Sequence, residues 1–119
     1  MKRDSEKHSK KLRDAFEQHM NKARGLYSKK QWQACFYELE NAHVLGQQQI
    51  WPHTLSHFWM LKVGWRQNDW KEILGQLLRT AASPIITPIW VPLGNTGGAN
   101  ISPVKPMPLR EELKGYFKK

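Results

Sequence analysis

Residues 28–46 read SKKQWQACFYELENAHVLG and residues 50–67 read IWPHTLSHFWMLKVGWRQ, and these two stretches decide the fold. In the first, Trp32, Cys35/Phe36, Leu39 and Ala42/His43 recur at steps of three and four, the period of one helix face. Ser28-x-x-Gln31 has the form of a capping box, and Gly46 stands where a C′ residue would. In the second, Pro52 suits a first helical position, where its missing N–H has no partner to lose. Leu55, Phe58, Trp59, Leu61, Val63 and Trp65 surround this helix almost completely, so it is expected to be the central, most buried one. The short connection makes the two helices antiparallel neighbours.

Working outward, Leu12, Phe16, His19/Met20, Ala23 and Leu26/Tyr27 predict an amphipathic helix over 6–27, with Lys10, Lys11, Arg13, Lys22 and Arg24 facing solvent. Downstream, Asn68-Asp69 stops the third helix. Asp69-x-x-Glu72 caps a fourth helix, whose inner stripe is Trp70, Ile73/Leu74 and Leu77/Leu78 and which Ser83-Pro84 ends. The expected spans are about 6–27, 29–45, 52–67 and 69–82. Residues 84–108 hold six of the seven prolines and three of the eight glycines, which forbids long regular elements. Ile85, Ile86, Ile89, Trp90, Val91 and Leu93 are nonetheless too apolar for a free linker, so an ordered coil laid across the helices is predicted. A short last helix over 109–118 is weakened by Gly115. The fold class is therefore all-α, one domain over 1–119, with two antiparallel helix hairpins. The segments around Trp32 and Trp70 resemble each other loosely at an offset of 38, close to the tetratricopeptide period, although two hairpins are too few for a solenoid.

With 119 residues, 39% hydrophobic and 11% aromatic, including six Trp, the chain is not a disordered tail. The lone Cys35 excludes a disulfide framework and fits a reducing compartment. The most apolar run, 85–93, is broken by Pro88 and Pro92 and too short to span a bilayer, so no membrane association and a cytoplasmic location are expected. The net charge of +9 and pI near 9.9 attract polyanions without identifying one. Residues 1–30 carry ten Lys/Arg against four acids, but no nucleic-acid reader motif accompanies them. A solvated basic face is the preferred reading, and nucleic acid is not an expected partner.

His43, His53 and His57 are the one cluster with metal-ligand spacing. His53 and His57, at i and i+4, share a helix face, and the hairpin sets the last turn of the second helix, with His43, beside them. Three imidazoles converging at a hairpin end form a candidate site for Zn, Ni or Cu with an open position. His8 belongs to the same end and is a further candidate, whereas Cys35 lies about 12 Å along the second helix. The competing reading is that each histidine caps or packs. Gly94-Asn-Thr-Gly-Gly-Ala-Asn100 lacks the Lys and flanking elements of a phosphate loop, so a tight turn whose Asn side chains bond the backbone is favoured. Pro103-x-x-Pro106 is more simply packed extended chain than a polyproline ligand. No triad, carboxylate pair or nucleophile elbow can be assembled, which leans against an enzyme.

Leu39-Glu-Asn-Ala-His43-Val-Leu-Gly-Gln47, His57 with Met60-Leu-Lys-Val-Gly-Trp65-Arg, Gly75-Gln-Leu77, Pro92-Leu-Gly-Asn-Thr-Gly-Gly-Ala-Asn100 and Pro106-Met-Pro108 together resemble a small bacterial domain-of-unknown-function family, number 3703. The resemblance covers roughly residues 30–110 and leaves the basic first helix outside. It implies an all-helical fold and no reaction. It also implies that His43, Gln47, His57 and Asn95 belong to one functional or structural centre, with His53 and Cys35 outside the motif. Trp65 and Asn100 are carried as further candidates for that centre.

Two functions follow as expectations. The first is a non-catalytic helical module that binds a protein or peptide through a groove lined by unpaired aromatics, with homo-oligomerisation open. The second is a histidine-based Zn, Ni or Cu protein with its site where the second and third helices meet.

Overall fold

The apolar stripes become helices that pack as two hairpins. In the computed structural model, which describes residues 2–117, α1 (Lys2–Ser28) lies along α2 (Trp32–Gly46), and α3 (Ile50–Arg66) lies along α4 (Trp70–Ile86). α2 also packs against α3, joining the hairpins. A short helix α5 (Glu111–Lys114) and a 3-10 turn over Gly115–Phe117 follow a long coil, and no strand occurs among the described residues. Of the expected spans, Met1, Lys118 and Lys119 lie outside the described residues.

The core joins Leu12, Phe16, Met20 and Ala23 of α1 to Cys35, Leu39 and Ala42 of α2, closed by Met60 and Val63 of α3 and by Leu113. Each large apolar side chain buried there contributes about 1.5–3 kcal/mol. α2, not α3, is therefore the most buried helix: every residue from Asn41 to Gly46 is covered. α3 instead leaves Phe58 and Trp65 on the surface, because only its face towards α2 and α4 is filled.

Three local expectations are corrected. Ser28 does not cap α2: it ends α1, its hydroxyl donates to the Arg24 carbonyl, and Gln31 at the N-cap makes no side-chain bond. Gly46 is the last residue of α2 rather than a C′ glycine. A Cβ there would stand 2.6 Å from Pro52 Cβ and 2.8 Å from Phe16 Cδ1, so close packing at the hairpin corner excludes a side chain. Finally, α4 runs through Pro84 to Ile86 instead of ending at Ser83. Hydroxyls hold this last turn, with Thr54 Oγ1 donating to Ser83 Oγ (2.9 Å) and Thr87 Oγ1 to the Ser83 carbonyl (2.5 Å). Asp69 does cap α4, accepting from the Glu72 N–H at 3.1 Å.

The coil after α4 is tied back to the helices along its length. Gln47, fully buried at the α2–α3 corner, donates to the Pro92 carbonyl and accepts from Gly94 N–H. Further on, Arg110 reaches Asn41 Oδ1 (2.6 Å) and Glu40 (2.8 Å) on α2. Between these ties the segment from Gly94 to Gly98 is buried against the hairpin junction. No helix of the described residues is long and apolar enough to cross a membrane.

Candidate metal centre

The three-residue connection Gln47–Gln49 sets the last turn of α2 beside the first turns of α3. This brings His43, His53 and His57 together, all buried, with one ligand atom from each within 4.8 Å of the others. His57 is the middle member: its Nε2 is 3.1 Å from His43 Nε2 and 3.1 Å from His53 Nε2.

The hydrogen bonds on the opposite ring nitrogens fix what those Nε2 atoms are. His43 Nδ1 lies 2.7 Å from the Asn95 carbonyl oxygen, which only accepts, so this nitrogen carries the proton. His57 Nδ1 lies 2.7 Å from Gln76 Oε1, and the Gln76 amide nitrogen is committed to Glu72 and the Gly97 carbonyl. His53 Nδ1 lies 2.8 Å from Thr87 Oγ1, whose own proton goes to the Ser83 carbonyl. All three rings are therefore Nδ1–H tautomers when neutral, and three bare Nε2 lone pairs face one another. No proton is left to join them. The neutral state is the one held: burial pushes His57 down to about 3 and His53 down to about 4, and burial together with the other two rings holds His43 well below its usual range.

A second tier positions the first. The Asn95 side chain accepts from Gly97 N–H and donates to the carbonyls of Ser102 and Lys105, which fixes the carbonyl that His43 uses. Gly97 has φ +89°, and a Cβ there would stand 2.6–2.8 Å from the His43 ring. Gly97→Ala is expected to cost about 2–4 kcal/mol in denaturant unfolding, from backbone strain plus overpacking, and to shift the His43 ring resonances. An unchanged midpoint would mean that the loop is not pressed on the ring.

Above the rings opens a cavity of about 270 Å³, walled by Leu78, Ala82, Ile86, Trp90, Val91 and Val104 among others. Its polar lining comes from the three histidines, Gln47, Asn95, Ser83 and Arg79, with no carboxylate among the described residues.

Of the residues singled out from sequence, Gln47 and Asn95 reach this centre as scaffold and cavity wall. Trp65 does not: it is 64% exposed beside Tyr27, Leu61 and Leu77. Asn100 is exposed in the turn beyond Gly98, His8 is outside the ligand group, and Cys35 is buried with its thiol pushed up to about 11, donating to the Ala23 carbonyl. Gln76, Thr87 and Arg79 escape a reading of the sequence. The expected apolar stripe hid the signal: of α4 only Ile73, Gln76 and Ser83 are buried, whereas Trp70, Leu74, Leu77 and Leu78, expected to face inward, are exposed.

The molecule is thus an all-helical, two-hairpin protein with a buried three-histidine cluster beneath an apolar cavity. It belongs to the family described as protein of unknown function (DUF3703), which matches residues 10–117 and so takes in most of the basic first helix. No curated protein and no solved structure matches the chain.

Proposed function

We propose that the protein binds one transition-metal ion of the zinc, nickel and copper group through His43, His53 and His57. The observation that carries this is the enforced convergence of three unprotonated Nε2 atoms. Three lone pairs at this spacing repel unless a cation sits among them. A tetrahedral ion with bonds near 2.05 Å puts its ligand nitrogens about 3.3 Å apart, close to the two 3.1 Å separations here. Each ring also donates its Nδ1–H to an oxygen, the arrangement that orients histidine ligands and raises their basicity. Imidazole donors suit borderline metals, and the fourth position faces the cavity, so an exchangeable ligand completes the shell. The carboxylate-free lining supports sensing, buffering or delivery over hydrolysis, for which a general base would be needed.

Untagged protein should yield one metal per chain by elemental analysis, or take up one equivalent of Zn, Ni or Cu on titration. Because the rings are already neutral at pH 7, uptake should release almost no protons from them. Metal-free protein that binds all three ions only weakly and without stoichiometry would overturn the reading.

Partner binding is a second reading, favoured by one observation. Trp70, Leu74, Leu77 and Leu78 of α4 and Trp65 of α3 are all at least half exposed, five large apolar side chains left without packing. Such a surface suits a protein or peptide partner or a second copy of the chain, and both functions can coexist because Trp65, Trp70, Leu74 and Leu77 lie outside the walls of the histidine cavity.

A further inference from the structure

The charge balance of the centre says what its fourth ligand is. All three ring ligands are neutral, and their outer partners are a main-chain carbonyl, an amide oxygen and a hydroxyl, also neutral. A dication held there brings two positive charges into a site walled by Leu78, Ala82, Ile86, Trp90 and Val104. Arg79 adds a third, lining the same cavity as the three rings. Glu72 offsets this only from one tier out, where its carboxylate is taken up by Gln76 and the Ala99 N–H. Uncompensated buried charge is costly, so the open position favours an anion.

Arg79 supplies the second observation. One of its terminal nitrogens is bonded to the Ile101 carbonyl at 3.0 Å, but its Nε is buried without a hydrogen-bond partner among the described residues. A guanidinium that lines the cavity and whose N–H donors are not all spent can turn one towards an anion held there. The guanidinium edge presents parallel N–H groups that match a carboxylate. Most of the rest of the wall is apolar, and 270 Å³ holds about nine non-hydrogen atoms when each takes about the 30 Å³ of a liquid water.

We propose that the cavity binds a small organic carboxylate with an apolar body, its head on the metal and Arg79 and its tail against Leu78, Ile86, Trp90 and Val104. This rests on the metal reading above.

The test uses cobalt(II) in the full chain, whose visible spectrum reports the metal's coordination directly. Hexanoate and benzoate should perturb the spectrum saturably, at least tenfold more tightly than acetate, since each buried methylene multiplies affinity by up to about fourfold. Hexanol and hexylamine should leave it unchanged. Arg79→Gln should still give the cobalt spectrum of the unliganded protein but weaken hexanoate by tenfold or more, with Arg79→Lys intermediate. If Arg79→Gln does not fold, Val104→Asp at the exposed rim replaces it and should weaken hexanoate while sparing acetate. A normal cobalt spectrum that hexanoate and benzoate do not move, or that acetate moves as tightly, overturns the carboxylate inference and leaves the metal reading intact. Failure of cobalt, zinc, nickel and copper alike to bind in stoichiometric amount overturns both.

Discussion

His57→Ala should lose tight binding of Zn, Ni or Cu, with affinity falling on the order of a hundredfold or more. His57 is the only ring within 3.1 Å of both others, so its removal leaves two nitrogens with no bridge between them. Partners in the outer tier alone are worth about 10–100-fold in metal affinity, and a ligand exceeds them. Gln76→Leu should accordingly fall in that 10–100-fold range, because it frees the His57 tautomer without removing the ring. Thermal unfolding gives an independent readout. A ligand at a hundred times its Kd adds about 2.7 kcal/mol of stability, which for a domain of this size raises Tm by about 10 °C. That increment should be present in the parent protein and absent in His57→Ala. Trp65→Ala and Asn100→Ala, both remote from the rings, should keep it. A His57→Ala variant that still shows the full increment would place the metal elsewhere.

This contrast between near and remote residues shows what a single sequence could reveal. The histidine trio was legible because it depends on two local facts, the i, i+4 spacing of His53 and His57 and a hairpin short enough to set His43 beside them. Trp65 and Asn100 were misplaced because motif adjacency carries no direction. Trp65 sits on the α3 face turned away from the junction, and Asn100 sits past the point where the coil leaves the rings. The outer tier was harder to see for a different reason. Asn95, 52 positions from His43, is pointed to only by the family resemblance, and Gln76 and Thr87 reach the rings through contacts 19 and 34 positions apart that nothing in the sequence indicates. No periodicity predicts which carbonyl or hydroxyl will meet an imidazole. The extension of α4 through Pro84 belongs with them, since its last turn is held by the bond that Thr54 of another helix gives to Ser83. Helix existence came from stripes; the helix ends and the polar tier came from tertiary packing.

The same buried neutral rings make acid the condition that should unfold the metal-free protein. In the unfolded chain each histidine titrates near 6.5, whereas in the folded chain His53 waits until about 4, His57 until about 3, and His43 also stays neutral far below its usual range. Between these limits the unfolded state binds protons that the folded state refuses, so stability rises with pH across the interval. It is fully present above about pH 6.5 and drains away as pH falls towards 4. Each gap of one pKa unit is worth about 1.4 kcal/mol, so the three rings together withdraw on the order of 5 kcal/mol or more, comparable to the whole stability of an ordinary domain. Glu40 works in the opposite sense, because burial raises its carboxyl even beside Arg110, and it softens the acid limb without cancelling three rings. Metal-free protein followed by circular dichroism should therefore unfold cooperatively between pH 6 and 4. Added zinc, which binds only the unprotonated rings, should move the midpoint to lower pH. His53→Gln removes one of the three titrating groups and should also move the metal-free midpoint down. A metal-free midpoint that stays at the same pH in His53→Gln, or a protein still fully folded at pH 3, would mean that these rings do not govern the acid limb.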